Sequence, residues 1–219
     1  MIDRAPARPS RRLRKAPWKA GDYLALDFEA TGPDLEHDRI VSFGGVPIRG
    51  GRVDVGEARY QLVDPGDRIN EHGAVSLHGI RPVDLVGASS QEIAKTALAE
   101  ALDRRFLVAW HAFVEAGFLA RLFGVPARSW LRRTIDVRDL LIEMDGERFA
   151  QLSLTESAVR HGVPVSDPHH ALEDAVVTAQ LFLILATGLE RRDGPRSVGD
   201  LLEARSVSPP LLRVLRAPV

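Results

Sequence analysis

The stretch Leu24-Ala25-Leu26-Asp27-Phe28-Glu29-Ala30-Thr31-Gly32 sets the tightest limit on how this chain folds. It is apolar enough for a buried strand, yet it carries two carboxylates one residue apart. Alternate residues of a strand face the same side, so Asp27 and Glu29 project together while Leu26 and Phe28 face the other way. Like charges side by side repel and resist burial. Two surroundings resolve that conflict: a solvated sheet face, or a divalent cation between the carboxylates. Carboxylate oxygen suits Mg²⁺ or Mn²⁺. Residues far downstream have to decide between the two.

Around this stretch the elements fall in an informative order. Tyr23 to Phe28 reads as the first strand, and Gly32-Pro33 ends it. Arg39 to Ile48 reads as a second, with Gly44-Gly45 a candidate bulge. Gly50-Gly51 signals a hairpin, and Arg52 to Val63 a third strand. Ile69 to Val86 reads as loop. A helix follows Ser89 or Ser90, and Phe106 to Trp110 is a short buried strand. Phe113 to Phe123 is a helix that Gly124 stops. Thr134 to Val137 reads as another strand, with a helix to Met144, and Ser153 caps a helix to Arg160. His169 to about Leu185 is the strongest helix, Ser197 to Ala204 the last, and Leu211 to Leu215 a turn. Strands first, then alternating helix and strand, predict an α/β fold: a three-strand antiparallel meander plus parallel strands in one mixed sheet flanked by helices.

The chain of 219 residues suffices for one large domain. It has no cysteine, which excludes disulfides, thiolate metal sites and cysteine nucleophiles and suits a reducing cytoplasm. No apolar run approaches the roughly 18 residues that cross a bilayer. The net charge of −1 hides an asymmetry: residues 1–20 hold seven Lys and Arg against Asp3, so the remainder carries −7. Residues 1–20 therefore read as a basic, flexible arm, either solvated or in contact with nucleic acid. Residues 21–188 form the domain. Residues 189–219, with Leu201, Leu202, Leu211, Leu212 and Leu215, either pack on it or dock a partner.

Two further segments carry chemistry. In Asp167-Pro168-His169-His170-Ala171-Leu172-Glu173-Asp174, a carboxylate falls on an apolar helix face and needs a partner. His169 lies five residues before Asp174, about 140° away on a helix. Both reach one site only if His169 belongs to the loop leading in, a break that Pro168 favours. In Trp110-His111-Ala112-Phe113-Val114-Glu115, an acid opens an apolar helix behind a buried strand, where the helix dipole alone would also favour it.

Together these pieces closely resemble the DEDDh exonucleases, the DnaQ-like group, over roughly Tyr23 to Leu185. The first motif is Leu26 to Gly32 and the third His169 to Asp174. Val75-Ser76-Leu77-His78-Gly79-Ile80 resembles the group's His-Gly-Ile segment, and Thr134 to Val137 its later Asp-containing segment. The second motif departs: the usual aspartate is Glu115, and the usual His-Asn is Trp110-His111. The resemblance implies a ribonuclease H-like fold and 3′–5′ hydrolysis of single-stranded DNA or RNA ends. It implies two Mg²⁺ or Mn²⁺ on Asp27, Glu29, Glu115 and Asp174, with His169 as general base. Thr31 and His78 are expected to touch the terminal nucleotide, and Phe28 and Phe113 to stack on bases. A polymerase-bound proofreading subunit, a homodimer, and a non-catalytic binder with a site weakened at Glu115 remain alternatives.

Overall fold

The computed structural model describes residues 5–66, 75–76 and 78–204. Six strands form one sheet: β1 (Asp22–Ala30), β2 (Ile40–Arg49), β3 (Arg52–Val53), β4 (Arg59–Leu62), β5 (Phe106–Ala109) and β6 (Thr134–Asp136). Their order is β3-β2-β1-β5-β6, with β4 also paired to β2. β1 and β2 are antiparallel, while β5 and β6 run parallel to β1 and to each other. This is the mixed sheet the sequence predicts.

The third strand differs from expectation. A 3-10 turn at Val55–Glu57 divides it into β3 and β4. Gly44 and Gly45 are no bulge, since both stay in regular register with β1; the irregularity lies between Glu29 and Ala30.

Helices cover both faces of the sheet. On one face are α1 (Gln91–Leu102), α2 (Ala112–Phe123) and the short α3 (Ala127–Leu131), which lacks a clear pattern in the sequence. They bury Leu24, Leu26, Phe28, Leu98 and Leu107. On the other are α4 (Val137–Asp145), α5 (Leu154–Arg160), α6 (Ala171–Asp193) and α7 (Val198–Leu202). They pack over Tyr23, Ala25, Val46, Ile48 and Val108. By length and composition α6 could cross a membrane. Its apolar face is filled by the sheet, with Ala175, Phe182 and Leu189 in the core.

The N-terminal arm is a correction. Residues 5–20 pack against the domain rather than hang free. Trp18 is 1% exposed, and its ring meets Phe182 edge-on at 5.7 Å. The Ala7 carbonyl accepts from Arg104 N and Arg133 Nη1, and the Ala16 carbonyl from Val198 N. Two aromatic and aliphatic anchors, Trp18 and Leu13, outweigh the charges around them. α7 closes the same core through Val198 and Leu201. Leu211, Leu212 and Leu215 lie outside the described residues.

Candidate active site

The site grows from the alternation of β1. Tyr23 and Ala25 enter the core beneath α6, and Asp27 and Glu29 continue that face toward the strand's end. Across the sheet, Asp27 pairs with Gly44, and Gly44 pairs with Tyr60. The middle of that row has no side chain, and the start of α6 lies there. A Cβ on Gly44 would sit 2.2 Å from Leu172 N and 2.3 Å from the Ala171 carbonyl carbon. The missing side chain is therefore what brings Asp174, in the first turn of α6, over Asp27 and Glu29.

His169 belongs to the loop, since α6 begins at Ala171. Its φ of 65° is left-handed, a conformation uncommon outside glycine and often found at functional sites. This turn aims its backbone N–H back at Asp174 Oδ2, 3.1 Å away. Glu29, His169 and Asp174 then offer ligand atoms that all lie within 4.8 Å of one another. The next residue, His170, stacks on Tyr60 with ring centroids 4.3 Å apart.

Glu115 comes from the other direction. β5 delivers the chain to α2, whose start is fixed by Asp136: one Asp136 oxygen accepts from Ala112 N at 2.9 Å, the other from Arg138 N at 3.0 Å. Glu115 is 4% exposed, and its buried Oε2 has no hydrogen-bond partner among the described residues.

Charge is concentrated here beyond what water compensates. Burial, followed by the charges of Glu115, Glu29 and Asp174, pushes the Asp27 carboxyl well above the usual carboxylate range. Burial and then Asp174 raise Glu29 to about 8. Burial also raises Glu115, with Asp136 adding to it. Asp136 itself is pushed up to about 7 by burial and then by Asp139. Burial holds His111, at the start of α2, down at about 4, with Arg138 contributing.

The donor set fits divalent cations. Clustered carboxylates of raised pKa and a buried Glu115 oxygen without a described partner are a site short of counter-charge, and carboxylate oxygens suit Mg²⁺ or Mn²⁺. Asp27, Glu29, Glu115 and Asp174 are the residues that would hold them.

The remaining expected contacts divide. His78 is near the site: burial lowers its pKa, a hydrogen bond with the Ala30 backbone works against that, and the His169 charge adds to the lowering. Phe113 lies half-buried in the first turn of α2. Thr31 is buried, and its hydroxyl donates to Asp38 Oδ1 at 2.7 Å and accepts from Arg39 N at 3.1 Å. Phe28 is 8% exposed and packs edge-on against Phe118, on the face opposite the carboxylates. Sequence reasoning missed Tyr60 and misread Gly44 as a bulge, while Asp136 falls in the segment it marked as Asp-containing.

Comparison with known proteins agrees with this geometry. Residues 24–182 match the RNase T exonuclease family. A DNA polymerase III of PolC type from Thermotoga maritima is 31% identical over 163 residues, which are 74% of this chain and 12% of that protein. A PolC-type polymerase from Staphylococcus aureus is 26% identical over 169 residues, 75% of this chain and 11% of that one. The chain thus spans about an eighth of these relatives. Escherichia coli exonuclease I in complex with a dT13 oligonucleotide superposes with a TM-score of 0.67 at 16% identity, covering 78% of this chain and 42% of that one. The nuclease domain of 3′hExo, a DEDDh member bound to rAMP, gives 0.61 at 20% identity, covering 81% and 96%. The chain belongs to the RNase T exonuclease family, and its fold is that of these exonuclease structures.

Proposed function

We propose that this protein is a divalent-metal-dependent 3′–5′ exonuclease that releases nucleoside monophosphates from single-stranded nucleic-acid ends. The observation that carries the reading is the convergence of Asp27, Glu29, Glu115 and Asp174 from three separate elements, with His169 at their edge. Two divalent cations held there would neutralise the cluster and stabilise charge developing on the oxygens of a scissile phosphate.

The chain's own groups do the rest. His169 is exposed, and its backbone is tied to Asp174. A ring nitrogen there can take the proton of an attacking water and pass it to solvent. Water oxygen bonds to phosphorus, the bond from phosphorus to the 3′ oxygen breaks, and that oxygen takes a proton from solvent. His78, whose ring feels the His169 charge, and Phe113, in the first turn of α2, would meet the terminal sugar and base. Thr31 and Phe28 support this through the loop and the core behind it.

The alignment with part of PolC-type polymerases favours a second reading, an exonuclease that works beside a polymerase. Co-migration with a replicative polymerase on size exclusion would support it.

The direct test is hydrolysis of 5′-labelled DNA and RNA single strands with Mg²⁺, Mn²⁺ or chelator. Stepwise shortening from the 3′ end is expected, abolished by chelator and by Asp174→Ala. Tight binding without cleavage under either metal would leave a nucleic-acid binder whose chemistry was lost at Glu115.

A further inference from the structure

The packed arm forms a surface that the catalytic site does not use. Ala7 lies against the residues before β5, and Arg14 Nη1 donates to the Arg132 carbonyl before β6 at 3.1 Å. These are the starting ends of the parallel strands, while the carboxylates gather at their finishing ends. The arm therefore sits at the opposite pole.

Its anchoring rests on the backbone at Ala7 and Ala16, the buried Trp18, and the ion pairs of Arg14 with Glu203 and Lys19 with Glu190. The other four charges of the described arm take no part in it. Arg8, Arg11, Arg12 and Lys15 are exposed, and among the described residues none has an ion-pair partner. Arg132 is likewise exposed beside Arg14. Nearby acids are already engaged: Asp103 accepts from Ala7 N and lies 3.6 Å from Arg104, and Glu203 pairs with Arg14. Arg8 also lies close enough to the buried Arg133 to lower its affinity for a proton, after burial itself. A fold that needed only an anchored segment would gain by neutral residues here, because cations crowded without counter-charge repel.

We propose that this arm-borne surface binds the phosphate backbone of the same single strand whose 3′ end occupies the catalytic site. The inference rests on the exonuclease reading. β1 sets the span: Asp22, which Arg105 meets at 3.2 Å, lies five residues before Asp27. At about 3.3 Å per residue that is roughly 17 Å, and the arm lies beyond it. At about 3.4 Å per stacked nucleotide, a strand needs roughly six nucleotides or more to reach both places. Shorter strands touch the catalytic site alone.

The test is equilibrium binding of 3-nucleotide and 15-nucleotide single strands in chelator, so that no cleavage occurs. The full chain is compared with Arg8→Gln/Arg11→Gln/Arg12→Gln/Lys15→Gln. Among the described residues these side chains have no ion-pair partner, so an unchanged melting temperature is the folding control. The expected result is a fall of about tenfold in the ratio of long-strand to short-strand affinity. The slope of log affinity against log salt should flatten by about 2 to 3, at about 0.7 per lost phosphate contact. An unchanged ratio and slope would overturn the surface. Hydrolysis of the p-nitrophenyl ester of thymidine 5′-phosphate is measured separately, with Mg²⁺ or Mn²⁺ in place of chelator. Its absence in the parent protein would tell against the exonuclease reading, whatever the binding ratio shows.

Discussion

Tyr60 carries no reacting group, yet its ring covers His170, the neighbour of the proposed base. An aromatic stack of this kind contributes about 0.5–1.5 kcal/mol beyond area burial. It works together with the His169 N–H bond to Asp174 to hold a left-handed loop in place. Tyr60→Leu should lower kcat by about tenfold to a hundredfold with little change in KM, because an ångström of misplacement costs on that order. Tyr60→Phe keeps the ring and should restore the rate. A leucine variant with the parental kcat would remove Tyr60 from any positioning role. Glu115 is tested by charge: Glu115→Gln should cost about a hundredfold or more in kcat. Above about pH 8, where the Glu115 carboxyl ionises in the fold, it should also raise the metal-free melting temperature, since one uncompensated buried charge disappears. Loss of both rate and stability would mean that Glu115 instead holds α2 in place. The acids themselves are legible in the sequence because Asp27 and Glu29 obey the two-residue period of a strand, and because Pro168 breaks the helix before His169. Tyr60 is not legible, since its partner lies 110 residues away and nothing local marks the pairing.

Elements meet at this site only because one of them is bare. β2 is apolar but for Ser42 and Arg49, and a pair of glycines in such a strand reads as a bulge. Gly44 instead clears the space in which the first turn of α6 crosses the sheet, and its φ is ordinary. The obstacle to a side chain is backbone, 2.2–2.3 Å away, which cannot rotate aside as a side-chain tip would. Gly44→Ala should therefore move the start of α6 away from β1. The expected result is a stability loss of about 1–3 kcal/mol in urea unfolding, together with loss of turnover. Gly45→Ala supplies the comparison: its Cβ would meet Leu24 Cδ1 at 3.5 Å, an ordinary contact. Equal activity in the two variants would contradict the crossing argument. The basic arm shows the converse limit of sequence reading. Its charge count points to a free segment, but Trp18 and Leu13 place it in the core, and charge composition says nothing about where two apolar side chains find cover.

On the scale of the whole molecule, the site makes stability depend on pH in an unusual direction. A carboxylate paired with a cation has a lowered pKa, and its protein loses stability toward acid. Here Glu29 stands at about 8 and Asp136 at about 7, while Asp27, Glu115 and Asp174 are also raised. Unfolded carboxyls release their protons near pH 4, so the folded protein holds more protons than the unfolded chain from there up to about pH 8. Stability then falls as pH rises through that window. His111 opposes this, because at about 4 in the fold against an ordinary 6.5 it favours the folded state as pH rises between those values. Above about pH 7.5 His111 and His78, which burial also lowers, are neutral in both states, and among these groups the carboxylates set the slope. In chelator, the melting temperature should therefore drop between about pH 7.5 and 8.5, and less steeply in Asp27→Asn. Millimolar Mg²⁺ should reverse the trend, since cations compete with those protons and bind more tightly as the carboxyls ionise. A metal-free protein whose melting temperature is flat or rises across that range would show that the carboxylates are not held against one another as the geometry requires.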